Sequence, residues 1–201
     1  MRIVGGMWRG QAIEAPVGRD TRPTTDRMRE TIASMVLSAR GLNMEGESVL
    51  DAFAGSGGMG LELLSRGASW CTFCEKDRRA SAVIKKNCSS LHVPTSAFAI
   101  VGGDVFKAVE RRSLAGAPFG VVFLDPPYAM EVTRVAELVS GLEQEGLLAP
   151  DALVVYERSS GAGQLVVEGF EAIRTKKHGG TSIDLLRRSK QRGVSPLLGL
   201  S

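Results

Sequence analysis

Apolar and polar positions alternate between two periods along this chain of 201 residues. Short apolar runs suited to buried strands occur at Ser48–Phe53, Trp70–Cys74, Ala97–Val101, Phe119–Leu124 and Leu153–Glu157. Between them lie stretches with helical spacing. Leu61, Leu63 and Leu64 open one, closed by Gly67. Ala80, Val83, Ile84 and Leu91 mark a second, and Val105 to Arg112 a short third. Val132, Val135, Leu138, Val139 and Leu142 mark a fourth, from Glu131 to Glu145. Strand and helix in alternation predict an α/β fold with a parallel sheet.

Both ends depart from that rhythm. Residues 2–15 alternate loosely around Gly5-Gly6 and Arg9-Gly10 and predict a small β-hairpin with Trp8 near its turn. A polar loop follows through Pro16, Gly18, Arg19 and Arg22. Thr24, Thr25 and Asp26 then suit a helix start. Met28, Ile32, Met35, Val36 and Ala39 share one face of that helix, and Gly41 is its expected stop. After Glu157 the alternation ceases. Residues 158–164 form a Gly/Ser loop. Phe170–His178 and Thr181–Arg188 flank Gly179-Gly180, the signal of an antiparallel hairpin. The expected organisation is an extension over residues 1–23, an α/β domain over 24–188 and a mobile tail over 189–201.

Composition adds little to the fold and more to the partner. Hydrophobic residues are 43% and charged residues 23%, ordinary for a soluble domain. No apolar run reaches membrane-spanning length, and the amino terminus lacks the apolar stretch of a secretory signal, so a cytoplasmic protein is expected. Cys71 and Cys74 fall within one strand and should point to opposite faces, which argues against zinc; no metal is expected. The net charge of +3 is unevenly spread. Arg2, Arg9, Arg19, Arg22, Arg27 and Arg29 lie near one end. Arg174, Lys176, Lys177, Arg187 and Arg188 lie near the other. Such edges suit phosphate binding, and ordinary solvated charge is the alternative. Arg22, Arg27 and Arg29 crowd a helix start, where cations are disfavoured. Either a phosphate or carboxylate partner holds them, or they pair with Asp26 and Glu30.

The strand ends carry the candidate chemistry. Asp51 and Phe53 close the first strand. Ala54-Gly55-Ser56-Gly57-Gly58-Met59-Gly60 then opens a helix, a G-x-G-x-x-G between strand and helix. Glu75 ends the second strand, 20 residues after Gly55, where an acid can accept ribose hydroxyls. Lys76 follows it. Asp104 and Val105 follow the third strand. Asp125-Pro126-Pro127-Tyr128 follows the fourth. Two prolines cannot extend a sheet, so the chain must turn at Asp125. The Asp125 carboxylate and the Pro126 carbonyl can together accept both hydrogens of a planar NH2 group, and Tyr128 can stack on a flat base. A pyrophosphate is disfavoured beside Asp51. S-adenosylmethionine, with a ribose, an adenine amine, an ammonium and a sulfonium, suits this set of acids better.

These motifs, D-A-F-A-G-S-G-G-M-G, E-K-D, G-D-V and D-P-P-Y, occur in an order that resembles class I methyltransferases acting on exocyclic amines. R-I-V-G-G-M-W-R-G and R-P-T-T-D-R-M-R-E, with the closing G-G-T-S-I-D-L-L-R-R, narrow the resemblance to the bacterial 16S ribosomal RNA guanine-N2 methyltransferases of the RsmD family. The likeness covers roughly residues 1–188 and departs at the tail. It implies a Rossmann-like sheet of seven strands in the order 3-2-1-4-5-7-6, the seventh antiparallel. It also implies methylation of the guanosine at position 966 of 16S rRNA. The expected partner is 16S rRNA within an assembling small subunit, and the expected state is a monomer, though naked rRNA and a finished subunit stay open as substrates. Under the resemblance, Asp51, Phe53, Gly55, Ser56, Gly57, Gly60, Glu75, Lys76, Asp104 and Val105 hold S-adenosylmethionine, and Asp125 to Tyr128 are catalytic. Arg2, Arg9, Arg22, Arg29, Lys176, Lys177 and Arg187 meet RNA. Three alternatives stay open: a DNA adenine-N6 methyltransferase, a nicotinamide-dependent oxidoreductase, and a non-catalytic RNA-binding assembly factor.

Overall fold

The seven strands form one sheet in the order β3-β2-β1-β4-β5-β7-β6. They are β1 (Ser48–Asp51), β2 (Trp70–Glu75), β3 (Phe98–Gly102), β4 (Phe119–Leu124), β5 (Leu148–Ser159), β6 (Phe170–His178) and β7 (Thr181–Arg188). The computed structural model describes residues 1–15 and 25–189. Strands β1 to β5 pair in parallel, and β7 is antiparallel to both β5 and β6. The expected architecture and the terminal hairpin are therefore both present. β5 is longer than its apolar run, because it begins at Leu148 and its early residues Pro150 and Asp151 are not apolar.

Side-chain alternation along the strands divides the core into two layers. Val49, Cys71, Phe73, Val121, Phe123, Val155, Ile183 and Leu185 face one layer. Helices α1 (Asp26–Ala39), α2 (Gly58–Ser65) and α3 (Arg78–Ser90) cover that side. Leu50, Cys74, Val122, Leu124, Val154, Tyr156 and Leu186 face the other, covered by α4 (Val105–Glu110) and α5 (Val132–Gln144). Cys71 and Cys74 accordingly lie on opposite faces, both buried and free. β4 is buried over its whole length because both layers cover it. Each large apolar side chain so buried stabilises the fold by about 1.5–3 kcal/mol.

The caps follow local chemistry. The Thr25 hydroxyl accepts the Met28 amide at the start of α1. Asp77 accepts the amides of Arg79 and Ala80 at α3. Each satisfies donors that a helix start leaves open.

The amino-terminal segment pairs less regularly than a hairpin. Arg2 and Ala12 form a single antiparallel bridge, and turns occupy most of the residues between. Side chains of α2 anchor its first turns. Glu62, fully buried, accepts the amides of Val4 and Gly5, each at 2.8 Å. Ser65 accepts from the Trp8 amide and donates to the Gly5 carbonyl. Around the bridge the Ile3 amide donates to the Gln11 carbonyl, Gly10 to Ile3 and Ile13 to Met1, so the segment doubles back on itself; the ladder stops there because the Val4, Gly5 and Trp8 amides are spent on helix side chains.

Candidate active site

A cavity of about 480 Å³ opens at the carboxyl ends of β1 to β5. Open α/β sheets keep ligands in this crevice, where strand ends and helix starts present unpaired backbone groups. Asp51, Phe53, Gly55, Ser56, Glu75, Lys76, Asp104, Val105 and the whole turn Asp125 to Tyr128 line it. One surface thus joins the strand-end acids and the proline turn.

The glycine loop is set by backbone rather than side chains. Gly55 has φ +57 and Gly57 φ +78, conformations that other L residues rarely adopt. The Gly55 amide donates to Glu75 at 2.8 Å, and the Asp77 amide donates to the other oxygen of Glu75 at 2.8 Å. Glu75 is thereby fixed in orientation at the cavity wall. Asp104 caps α4, accepting the amides of Phe106 and Lys107 through one oxygen. Phe106 also lines the cavity, and the Arg134 guanidinium stacks 3.8 Å above its ring.

Asp51 lies on the cavity floor, almost wholly buried, and accepts the Gly60 amide at 3.0 Å. Burial pushes its carboxyl up to about 7; the Gly60 bond opposes this, and the charges of Asp125 and Glu75 add to it. Asp125 faces the cavity with one side open to solvent, yet desolvation by the surrounding protein raises it to about 6. Several carboxylates so close together disfavour an anion and favour a ligand with positive charge. Past Asp125, the Met130 amide donates to the Pro127 carbonyl at 2.8 Å and closes the turn. Tyr128 stands out from it, 75% exposed, between the main cavity and a shallower one.

Several expectations change. Gly57 and Gly60 do not line the cavity. A Cβ at Gly60 would lie 2.4 Å from Phe73 and 2.6 Å from the Cys71 sulfur, so its role is close packing of α2 on β2. Arg29 lines the cavity but is almost wholly buried, its guanidinium taken up by protein atoms. It donates to the Arg2 carbonyl at 2.6 Å and to Asp26 at 2.7 Å. That is the pairing with Asp26 held open above, and it holds Asp26 below the usual carboxylate range together with Arg2. Arg187 pairs with Leu153 at the opposite end of the sheet and donates to the Ala39 carbonyl, so it too is a structural contact. Arg2 is exposed but bonded to Asp26, and Arg9 is exposed. Lys176 and Lys177 are exposed on β6, near the hairpin that reaches the cavity end of β5. Arg19, Arg22 and the tail after Ser189 lie outside the described residues.

Three contributors are invisible in the motifs. Asn87, buried on α3, donates to the carbonyls of Ser56 and Glu14 and accepts the Glu14 amide, tying the glycine loop to the amino-terminal segment. Met1 lines the cavity from that segment. Glu157 lines it from the end of β5. An acid closing an apolar run was the available signal for Glu157, the same one that marks Asp51, Glu75 and Asp125.

Comparison with known proteins agrees with this geometry. The family model described as Conserved hypothetical protein 95 matches residues 1–187. Ribosomal RNA small subunit methyltransferase D of Escherichia coli K12 is 33% identical over 199 residues, covering 97% of this chain and 93% of that protein. The protein of the same name from Haemophilus influenzae is 30% identical over 182 residues, 89% of each. The solved structure of Escherichia coli yhhF superposes with a TM-score of 0.79 at 34% identity, covering 95% of this chain and 99% of that one. On the match to residues 1–187 and the near full-length identity to its relatives, the chain belongs to the RsmD family of methyltransferases.

Proposed function

We propose that this protein transfers a methyl group from S-adenosylmethionine to the exocyclic N2 amine of a guanosine in 16S ribosomal RNA, the guanosine at position 966 in the usual numbering. The observation that carries the reading is the shared cavity, where the Asp125-Pro126-Pro127-Tyr128 turn meets the glycine loop and its acids. The donor set fits the cofactor: acids crowd the wall, and Phe53, Val105 and Phe106 offer apolar surface. Bound there, S-adenosylmethionine supplies an electrophilic methyl group on a sulfonium.

The chain supplies the rest. Glu75, oriented by two amides, accepts ribose hydroxyls; Asp104 accepts from the adenine amine through its remaining oxygen; Asp51 balances positive charge. An aromatic amine is a poor nucleophile because its lone pair is delocalised into the ring. The Asp125 carboxylate and the Pro126 carbonyl accept its two N–H groups and turn the lone pair out of the ring plane. Orientation of this kind is worth about 7–11 kcal/mol. Fixed acceptors beside a nitrogen that gains positive charge lower the barrier further. The amine's surplus proton then leaves readily, with Asp125 as its first acceptor. Tyr128, exposed at the rim, stacks on a base swung out of its helix.

RNA is held by Arg2 and Arg9 on one side and Lys176 and Lys177 on the other. Arg29 and Arg187 are withdrawn from that set because protein atoms hold them. The protein acts as a monomer in the cytoplasm, on an assembling subunit. Mass mapping of modified nucleosides in 16S rRNA tests the reading. Cells lacking the gene should lose one N2-methylguanosine and regain it on complementation. Loss of a DNA N6-methyladenine instead would support the adenine alternative.

A further inference from the structure

Strands β4 and β5 run in parallel, with Leu124 opposite Tyr156. One residue further on, β4 gives Asp125 and β5 gives Glu157, and both line the cavity. Tyr156 belongs to the α4–α5 layer, so strand alternation turns Glu157 to the other face. Its partner across β7 is Ile183, which lies in the α1–α3 layer, as does Phe123, the partner of Asp51. Glu157 therefore stands on the same side of the sheet as Asp51, half-buried and adjacent in register to the residue assigned to grip the amine.

The bases that carry an exocyclic amine differ in what lies beside it. Guanine has the N1–H donor next to its N2 amine. Adenine has the N1 acceptor next to N6, and cytosine the N3 acceptor next to N4. A second carboxylate beside Asp125 gains a hydrogen bond from guanine and meets a lone pair in the other two. Flipped bases are read along this edge. We propose that Glu157 is a specificity-determining residue whose carboxylate accepts the N1–H of the target guanine. The inference rests on the guanine-N2 reading and deepens it, since the same carboxylate opposes adenine.

The test compares RNA bearing guanosine at the target position with RNA bearing 2-aminopurine riboside there. The analogue keeps the reacting amine but turns N1 into an acceptor. Wild-type protein should methylate the guanosine RNA with a kcat/KM about 10- to 100-fold above that for the analogue, the usual scale for one buried polar mismatch. Glu157→Gln can donate to N1 through its amide NH2 and should narrow that ratio about tenfold. The ratio is measured within one preparation, so partial misfolding does not affect it. An unchanged ratio in Glu157→Gln, with guanosine N2 still methylated, would overturn the role of Glu157 alone. Absence of N2 methylation by the wild-type protein would overturn the substrate reading, and this inference with it.

Discussion

The backbone amide of Gly60 donates to the buried carboxylate of Asp51 at 3.0 Å, fastening the first turn of α2 to the end of β1. At the same glycine, the missing side chain lets α2 approach Phe73 and Cys71. Gly60→Ala should therefore destabilise the fold by about 1–3 kcal/mol through overpacking. Thermal unfolding reads this directly. Affinity for cofactor in the folded fraction should change little, because Gly60 does not line the cavity.

The raised carboxyl of Asp51 gives stability a pH dependence. An unfolded aspartate titrates near 4, while Asp51 in the fold titrates at about 7. Between these values the native state holds the extra proton, so its stabilising contribution is complete below the lower value. It is lost as pH rises through the upper one. The unliganded protein should lose melting temperature from about pH 4 to pH 7, and Asp51→Asn should flatten that slope. A wild-type melting temperature that rises across this range would contradict the assignment.

Glu62 joins the amino-terminal segment to α2 through two amides, and also pairs with Arg66 at 2.9 Å. Removing one partner of a buried charged network costs about 3–5 kcal/mol. Glu62→Ala should lower stability on that scale and expose residues 1–15 to limited proteolysis. Cleavage confined elsewhere would show that Ser65 and Asn87 hold the segment without Glu62.

The two basic regions separate under mutation. Lys176→Ala with Lys177→Ala should weaken RNA binding and reduce the slope of log affinity against log salt by about 1–2. Arg187→Ala should leave that slope alone and lower stability, because its guanidinium bonds the Ala39 carbonyl at the end of α1.

Much of this was legible in the chain. Asp51, Glu75 and Asp125 announce themselves because an acid that closes an apolar run marks the place where the strand leaves the core, either at its last residue or just past it. Gly179-Gly180 marks the hairpin for the same local reason. Long-range partners leave no such mark. Glu62 sits 58 residues from Val4, and on a helix it looks like any solvated acid. Arg29 looks like a surface cation until Asp26, three residues earlier on the same helix, and the Arg2 carbonyl are seen to enclose it. Gly57 and Gly60 carry the motif of a ligand loop, but the space they save is taken by the side chains of β2 and α3.

The proline turn carries the central claim, and Asp125 tests it most directly. Single-turnover methyl transfer to target RNA should be measured for wild type and Asp125→Ala beside cofactor affinity in the same preparations. Loss of a fixed partner to developing charge costs about 10²- to 10³-fold in rate. The account predicts a loss on that scale with cofactor affinity retained. It also predicts a wild-type rate that falls as pH drops below about 6, as Asp125 takes up its proton. A variant that transfers methyl groups at the wild-type rate would contradict it.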